Sequence, residues 1–102
     1  MRFGLKEEVI QAIANVFARH PEVEKVLLYG SRAKGNYKPA SDIDLTLLGE
    51  KMEMSIMNKI SWELDDLLLP NTFDLSIFHH LNDSALLDHI NRVGIVFYSK
   101  EG

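Results

Sequence analysis

The chain has 102 residues, 11 Lys and Arg against 15 Asp and Glu, a net charge of −4, 46% hydrophobic residues and no cysteine. That length builds one core and not two, and the acidic balance excludes the basic field that direct nucleic-acid binding demands. No disulfide or thiolate metal site is open to it, no apolar run reaches the roughly 18 residues needed to cross a bilayer, and no charged-then-apolar leader opens it. A single domain over 1–102, cytoplasmic and with no membrane partner, is therefore expected.

In chain order, Leu5, Val9, Ile10, Ile13, Val16 and Phe17 recur at helical spacing, with Lys6, Glu7, Glu8, Gln11 and Asn15 on the other face. A helix over residues 5–19 follows, ended by His20-Pro21, because the residue before proline avoids the α region. Val23–Tyr29 reads as a strand apolar on both faces, hence central. Gly30–Lys34 turns sharply into a short helix, and residues 35–41 carry loop chemistry at Gly35, Asn36 and Pro39. The next strand alternates, with Ile43, Leu45 and Leu47 on one side and Asp42, Asp44 and Thr46 on the other, and Gly49 ends it.

A second long helix is predicted over residues 54–69, striped by Ile56, Met57, Ile60, Leu64, Leu67 and Leu68 and stopped by Pro70-Asn71. Residues 72–78 alternate again, Phe73, Leu75 and Ile77 opposing Asp74 and Ser76. A helix over 83–92 and an apolar strand over 93–99 complete the chain. The order α-β-α-β-α-β-α-β predicts an α/β (α+β) domain, one mixed sheet of about four strands with helices mainly on one face.

The chemistry gathers on Gly30–Leu45, GSRAKGNYKPASDIDL, where ten residues separate Ser31 from Asp42. Asp42 and Asp44 share a side of their strand, roughly 6.6 Å apart along it. If the strand bearing Asp74 is a neighbour, three carboxylates gather. Two such charges about 5 Å apart repel by roughly 3 kcal/mol at an effective dielectric of 20, a penalty that a divalent cation converts into binding. Oxygen-only donors favour Mg²⁺ or Mn²⁺. Two such ions can clamp the attacking and leaving oxygens of a phosphoryl displacement. Gly30 admits a close backbone approach, Ser31 offers an N–H and a hydroxyl at a helix start, and Arg32 or Lys34 could add a cation to phosphate. A lone Asp-x-Asp is most often a solvated strand edge, and a lone Gly-Ser marks any turn. Their joint placement in a β-turn-α-β pattern carries the functional reading.

These residues resemble the DNA polymerase β-type nucleotidyltransferase superfamily, and most closely its minimal nucleotidyltransferase (MNT) members. Those are marked by Gly-Ser, ten residues and Asp-x-Asp, here Gly30, Ser31, Asp42 and Asp44, with a third acid on a later strand, here Asp74. The resemblance implies that Asp42 and Asp44 hold metal and that Ser31 contacts the β- and γ-phosphates of ATP. Asp74 would ligate the catalytic metal and help deprotonate the acceptor hydroxyl. Larger relatives carry a helical domain for the acceptor, and this chain reaches Gly102 without one. A separate helical HEPN-type protein is therefore the expected partner. In some such pairs the partner is a ribonuclease toxin neutralised by AMP transfer to a tyrosine hydroxyl. A small-molecule acceptor and a non-catalytic binding antitoxin are the alternatives.

Other residues have plainer readings. His79-His80 resembles a metal pair, but adjacent side chains on an extended chain point apart. His20 is expected at a helix end, His89 on the surface, Tyr29 in the core, and Met52, Met54 and Met57 as gap-fillers. Trp62 lies off its helix stripe, where exposure would mark a partner interface and burial an edge of the core.

Overall fold

The computed structural model describes residues 1–101. Its elements are α1 (Glu7–Ala18), β1 (Lys25–Tyr29), α2 (Gly30–Lys34), β2 (Ile43–Leu48), α3 (Met54–Asp65), β3 (Phe73–Ile77), a 3₁₀ turn (Phe78–His80), α4 (Ser84–Val93) and β4 (Ile95–Ser99). The four strands form one sheet in the order β3-β2-β1-β4. β1 runs antiparallel to both neighbours, and β2 pairs with β3 in parallel, so the sheet is mixed as expected.

Period-2 alternation divides the sheet into two chemically different faces. Val26 and Leu28 of β1, Ile43, Leu45 and Leu47 of β2 and Ile77 of β3 are buried in the main core with Ile10, Ile13, Val16 and Phe17 of α1 and Ile60 and Leu64 of α3. The two long helices thus share one face. Burying a side chain of this kind contributes about 1.5–3 kcal/mol, which makes this layer the main source of stability. The other face carries Tyr29 on β1, Asp44 and Thr46 on β2 and Asp74 and Ser76 on β3. Among the described residues α4 packs there, against β1 and α2, with Ile90 buried outside the main core.

Helix ends depart from the sequence expectation for identifiable reasons. Arg2 and Leu5 bridge to one another before α1, so Leu5 reaches the core from a turn and the helix begins at Glu7. α3 stops at Asp65, four residues short of the predicted Leu69. Leu67 N–H closes a tight turn onto the Leu64 carbonyl, and Leu68 takes a left-handed conformation, φ 56°, ahead of Pro70. Leu68 is consequently 88% exposed. His20 and Arg19 at the end of α1 both engage Glu63 of α3, at 2.7 and 3.1 Å, and fasten the two helices together.

Candidate active site

Three local rules assemble the site. The first is strand register: Asp44 of β2 pairs directly with Asp74 of β3, and Tyr29 of β1 pairs with Asp44 from the other side. Residues separated by about thirty positions are thereby neighbours on the polar face. The second is the turn at Gly30, where φ is 73° and a Cβ would overlap the Oδ2 atom of Asp44. Only glycine accepts both the left-handed backbone and that proximity. The third is the cap of α2: Gly35, at φ 89°, returns its N–H to the Ser31 carbonyl at 2.8 Å and releases the chain into the loop carrying Asp42.

Asp42 lies just ahead of β2 and is exposed, Asp44 is half-buried, and Asp74 is exposed. Burial pushes the Asp44 carboxyl up to about 6, and the charges of Asp74 and then Asp42 add to it, while Arg32 opposes the rise. Burial likewise raises the Tyr29 hydroxyl, opposed by the Ser76 hydroxyl and reinforced by the charges of Asp74 and Asp44. The site is therefore a place of uncompensated negative charge. Two residues along each strand, Thr46 and Ser76 face one another, and the Thr46 hydroxyl is buried without a partner among the described residues.

The donor chemistry suits a hard divalent cation, being carboxylate oxygen throughout with the orphaned Thr46 hydroxyl alongside. The side chains as they stand do not converge on one point: among the described residues, no three His, Cys, Asp or Glu side chains are grouped to grip an ion. Asp44 and Asp74 are paired by register, and Asp42 stands one step outside.

Of the expected phosphate contacts, Ser31 sits in the first turn of α2 and Lys34 in its last, Ser31 partly exposed and Lys34 exposed. Arg32 departs from expectation. It is 2% exposed and, among the described residues, its hydrogen bonds go to backbone carbonyls and not to the carboxylates. Its guanidinium donates to the carbonyls of Phe3 (2.8 Å), Pro39 (3.2 Å) and Ser41 (2.9 and 3.2 Å) and lies over the Tyr37 ring. All three guanidinium nitrogens are thereby engaged, so Arg32 fastens the loop and the N-terminal turn in place of meeting a ligand.

His89 also departs from expectation. In place of a surface position, its Nε2 accepts the Gly30 N–H at 3.0 Å and its ring meets Tyr29 edge-on. Position 89, one before the buried Ile90 on α4, was the only sequence signal for it. His79 and His80 lie in a 3₁₀ turn, both exposed, their rings edge-to-face at 4.7 Å. Trp62 is 69% exposed on α3, on the far side of the sheet from the carboxylates. A cleft of about 880 Å³ lies at the opposite end of the strands, lined by opposed charges such as Glu24, Lys25, Glu50 and Lys100 and by none of the motif residues.

Residues 11–102 match the family model "Polymerase beta, Nucleotidyltransferase". No curated relative matches the chain. Among solved structures, the fold is similar to a chain of a toxin–antitoxin complex with AMP-PNP, at TM-score 0.70 and 20% identity over 93% of this chain and 74% of that one. It is similar as well to a chain of the tri-AMPylated Shewanella oneidensis HEPN toxin in complex with MNT antitoxin, at TM-score 0.68 and 15% identity over 95% and 75% of the two chains. A chain described as a "putative nucleotidyltransferase from Sulfolobus solfataricus" matches at TM-score 0.55 and 18% identity over 92% and 80%. With the model spanning nine-tenths of its length, the chain belongs to the polymerase β-type nucleotidyltransferase family.

Proposed function

We propose that the protein transfers AMP from ATP to a hydroxyl, that of a tyrosine, on a helical HEPN-type partner, and so acts as the antitoxin of a toxin–antitoxin pair. The observation that carries the reading is the direct register of Asp44 with Asp74, with Gly30 closed against Asp44. A phosphate-bearing chain laid along Gly30–Ser31 would have its reacting phosphorus beside those acids. Support for the partner comes from the similar fold found with an AMPylated HEPN toxin.

Asp42, Asp44 and Asp74 would hold two Mg²⁺ or Mn²⁺ ions, which neutralise the charge that builds on the attacking and leaving oxygens. The chain's own residues do the rest. Ser31 offers its N–H and hydroxyl to the β- and γ-phosphates, and Lys34 supplies the cation that Arg32 cannot. Asp74, exposed on an edge strand, meets the incoming hydroxyl and takes its proton as the oxygen attacks the α-phosphorus. The bond from that phosphorus to the β-phosphate oxygen breaks, and pyrophosphate leaves.

The test is incubation with α-labelled ATP, Mg²⁺ and the helical protein encoded beside it. Label should move to a tyrosine of that protein, and an Asp42→Asn/Asp44→Asn double variant should transfer less than about one hundredth as much. Undiminished transfer by the double variant, or label on an aminoglycoside in place of the protein, would overturn the reading. Neutralisation of the partner by the double variant as well as by the wild type would make the protein a steric antitoxin.

A further inference from the structure

One side chain enters the site with no part in the reaction just described. His89 Nε2 accepts the Gly30 N–H at 3.0 Å, and its ring packs edge-on against Tyr29, centroids 6.2 Å apart at 79°. Gly30 opens α2, so its N–H has no carbonyl one turn back to meet, and its φ of 73° turns it out of the β1 ladder. A side-chain acceptor brought by another element is the partner it finds. In the neutral ring this places the imidazole proton on Nδ1.

The acceptor is carried on a well-fixed element. The Asp83 side chain caps α4, accepting from Ala85 N–H at 2.9 Å and Leu86 N–H at 3.2 Å. Ile90, the next residue after His89, is 2% exposed. On the opposite flank of Gly30, the Asp44 carboxylate fills the space a Cβ would take. The glycine is therefore held between β2 and α4, and the residue it hands on is Ser31. A turn of the Tyr29–Gly30 peptide would swing the Ser31 hydroxyl relative to Asp44, and a misplacement of about 1 Å in such a site costs as much as 100-fold in rate.

We propose that His89 is a positioning residue for the phosphate cradle, its Nε2 anchoring the Gly30 amide so that Ser31 meets the triphosphate of a nucleoside triphosphate at a fixed distance from Asp44. This rests on the reading of Gly30–Ser31 as the cradle. His89 itself touches neither phosphate nor acceptor. The hydrogen bond, and not the ring, is what matters, and that separates positioning from packing against Tyr29.

Two variants make the distinction. His89→Phe keeps the ring and removes the acceptor; His89→Gln removes the ring and keeps an acceptor of similar reach. Binding of Mg²⁺·ATP by calorimetry, which needs no acceptor protein, should weaken about tenfold in His89→Phe and stay within about threefold of wild type in His89→Gln. Exchange of the Gly30 amide proton should accelerate in the first variant and not in the second. Equal affinity in wild type and His89→Phe overturns the inference and leaves the cradle standing, as does equal weakening in both variants. Should His89→Phe not fold, a tenfold loss in a folded His89→Gln overturns it. A wild-type protein that binds no Mg²⁺·ATP overturns the cradle reading, and this inference with it.

Discussion

Asp44 is placed against its own electrostatic interest. It is half-buried, and its neighbours in register are Asp74, of like charge, and Tyr29, which has no charge to offer. A residue held this way marks a site where the fold gives up stability for chemistry. Asp44→Asn should accordingly raise the melting temperature at pH 8, in the absence of metal, by a few degrees, while abolishing adenylyl transfer by 100-fold or more. Differential scanning fluorimetry and label transfer on the same preparation decide it, and a variant both inactive and less stable would contradict the electrostatic account. Gly30→Ala tests the neighbouring constraint. It must adopt a left-handed φ and displace the Asp44 carboxylate, so ATP binding should be lost even where the protein folds. At this scale much was legible. Gly30, Ser31, Asp42 and Asp44 are contiguous in a motif, and Asp74 follows from period-2 alternation in FDLSI. Arg32 and His89 were not legible. A polar side chain is ordinarily outside, and what turns these two inward is carbonyls and an amide from distant segments.

Arg32 shows how much of the site's geometry belongs to elements and not to ligating residues. It gathers the N-terminal turn through Phe3, the loop through Pro39 and Ser41, and α2 from which it springs. Ser41 precedes Asp42 directly, so the clamp sets where the first carboxylate begins. Arg32→Ala leaves the Phe3 and Ser41 carbonyls without their donor, that of Pro39 keeping Asn71 Nδ2 at 3.2 Å, and should lower stability by about 2–4 kcal/mol, read as a fall in the urea midpoint. Arg32→Lys should recover little of it, since an ammonium cannot reproduce the forked contacts. An unchanged midpoint in Arg32→Ala would mean that the carbonyls find other partners. The elements themselves were largely readable from periodicity. Errors fell at the ends of α1 and α3, where a bridge between Arg2 and Leu5 and the left-handed Leu68 overrode the apolar stripe.

Across the whole molecule, the carboxylate arrangement makes stability depend on pH in an unusual direction. The folded protein holds a proton on Asp44 up to about pH 6, whereas the unfolded chain releases it near 3.8. Between those values the folded state binds more protons at Asp44, so the contribution of Asp44, read as wild-type stability relative to Asp44→Asn in the metal-free protein, should decline as pH rises from about 4 to about 6 and then level off, while Glu7 and Glu63, whose carboxyls are lowered, act the other way. Most proteins gain over that window as their carboxylates ionise into favourable pairs. Chemical denaturation at half-unit pH intervals would show the decline, and Asp74→Asn should shrink it by removing the nearest like charge. Added Mg²⁺ should offset it above pH 6, because a ligand bound only by the folded state stabilises that state. A rise of that contribution across the window in Asp74→Asn and wild type alike would remove the account.

The parallel pairing of β2 with β3 has a consequence in time. Gly30, Ser31, Asp42 and Asp44 leave a ribosome together, flanked by strands that close as a local antiparallel pair. Asp74 comes later, and β3 can take its place only after α3 has crossed the sheet. Pairings between segments so distant in sequence are slow to form. A nascent chain that has emerged only as far as Asp66 therefore owns a cradle and two of its three acids, with the edge of β2 still unpaired. The third acid therefore reaches the site only after the other two, and the His89 that anchors Gly30 comes later still.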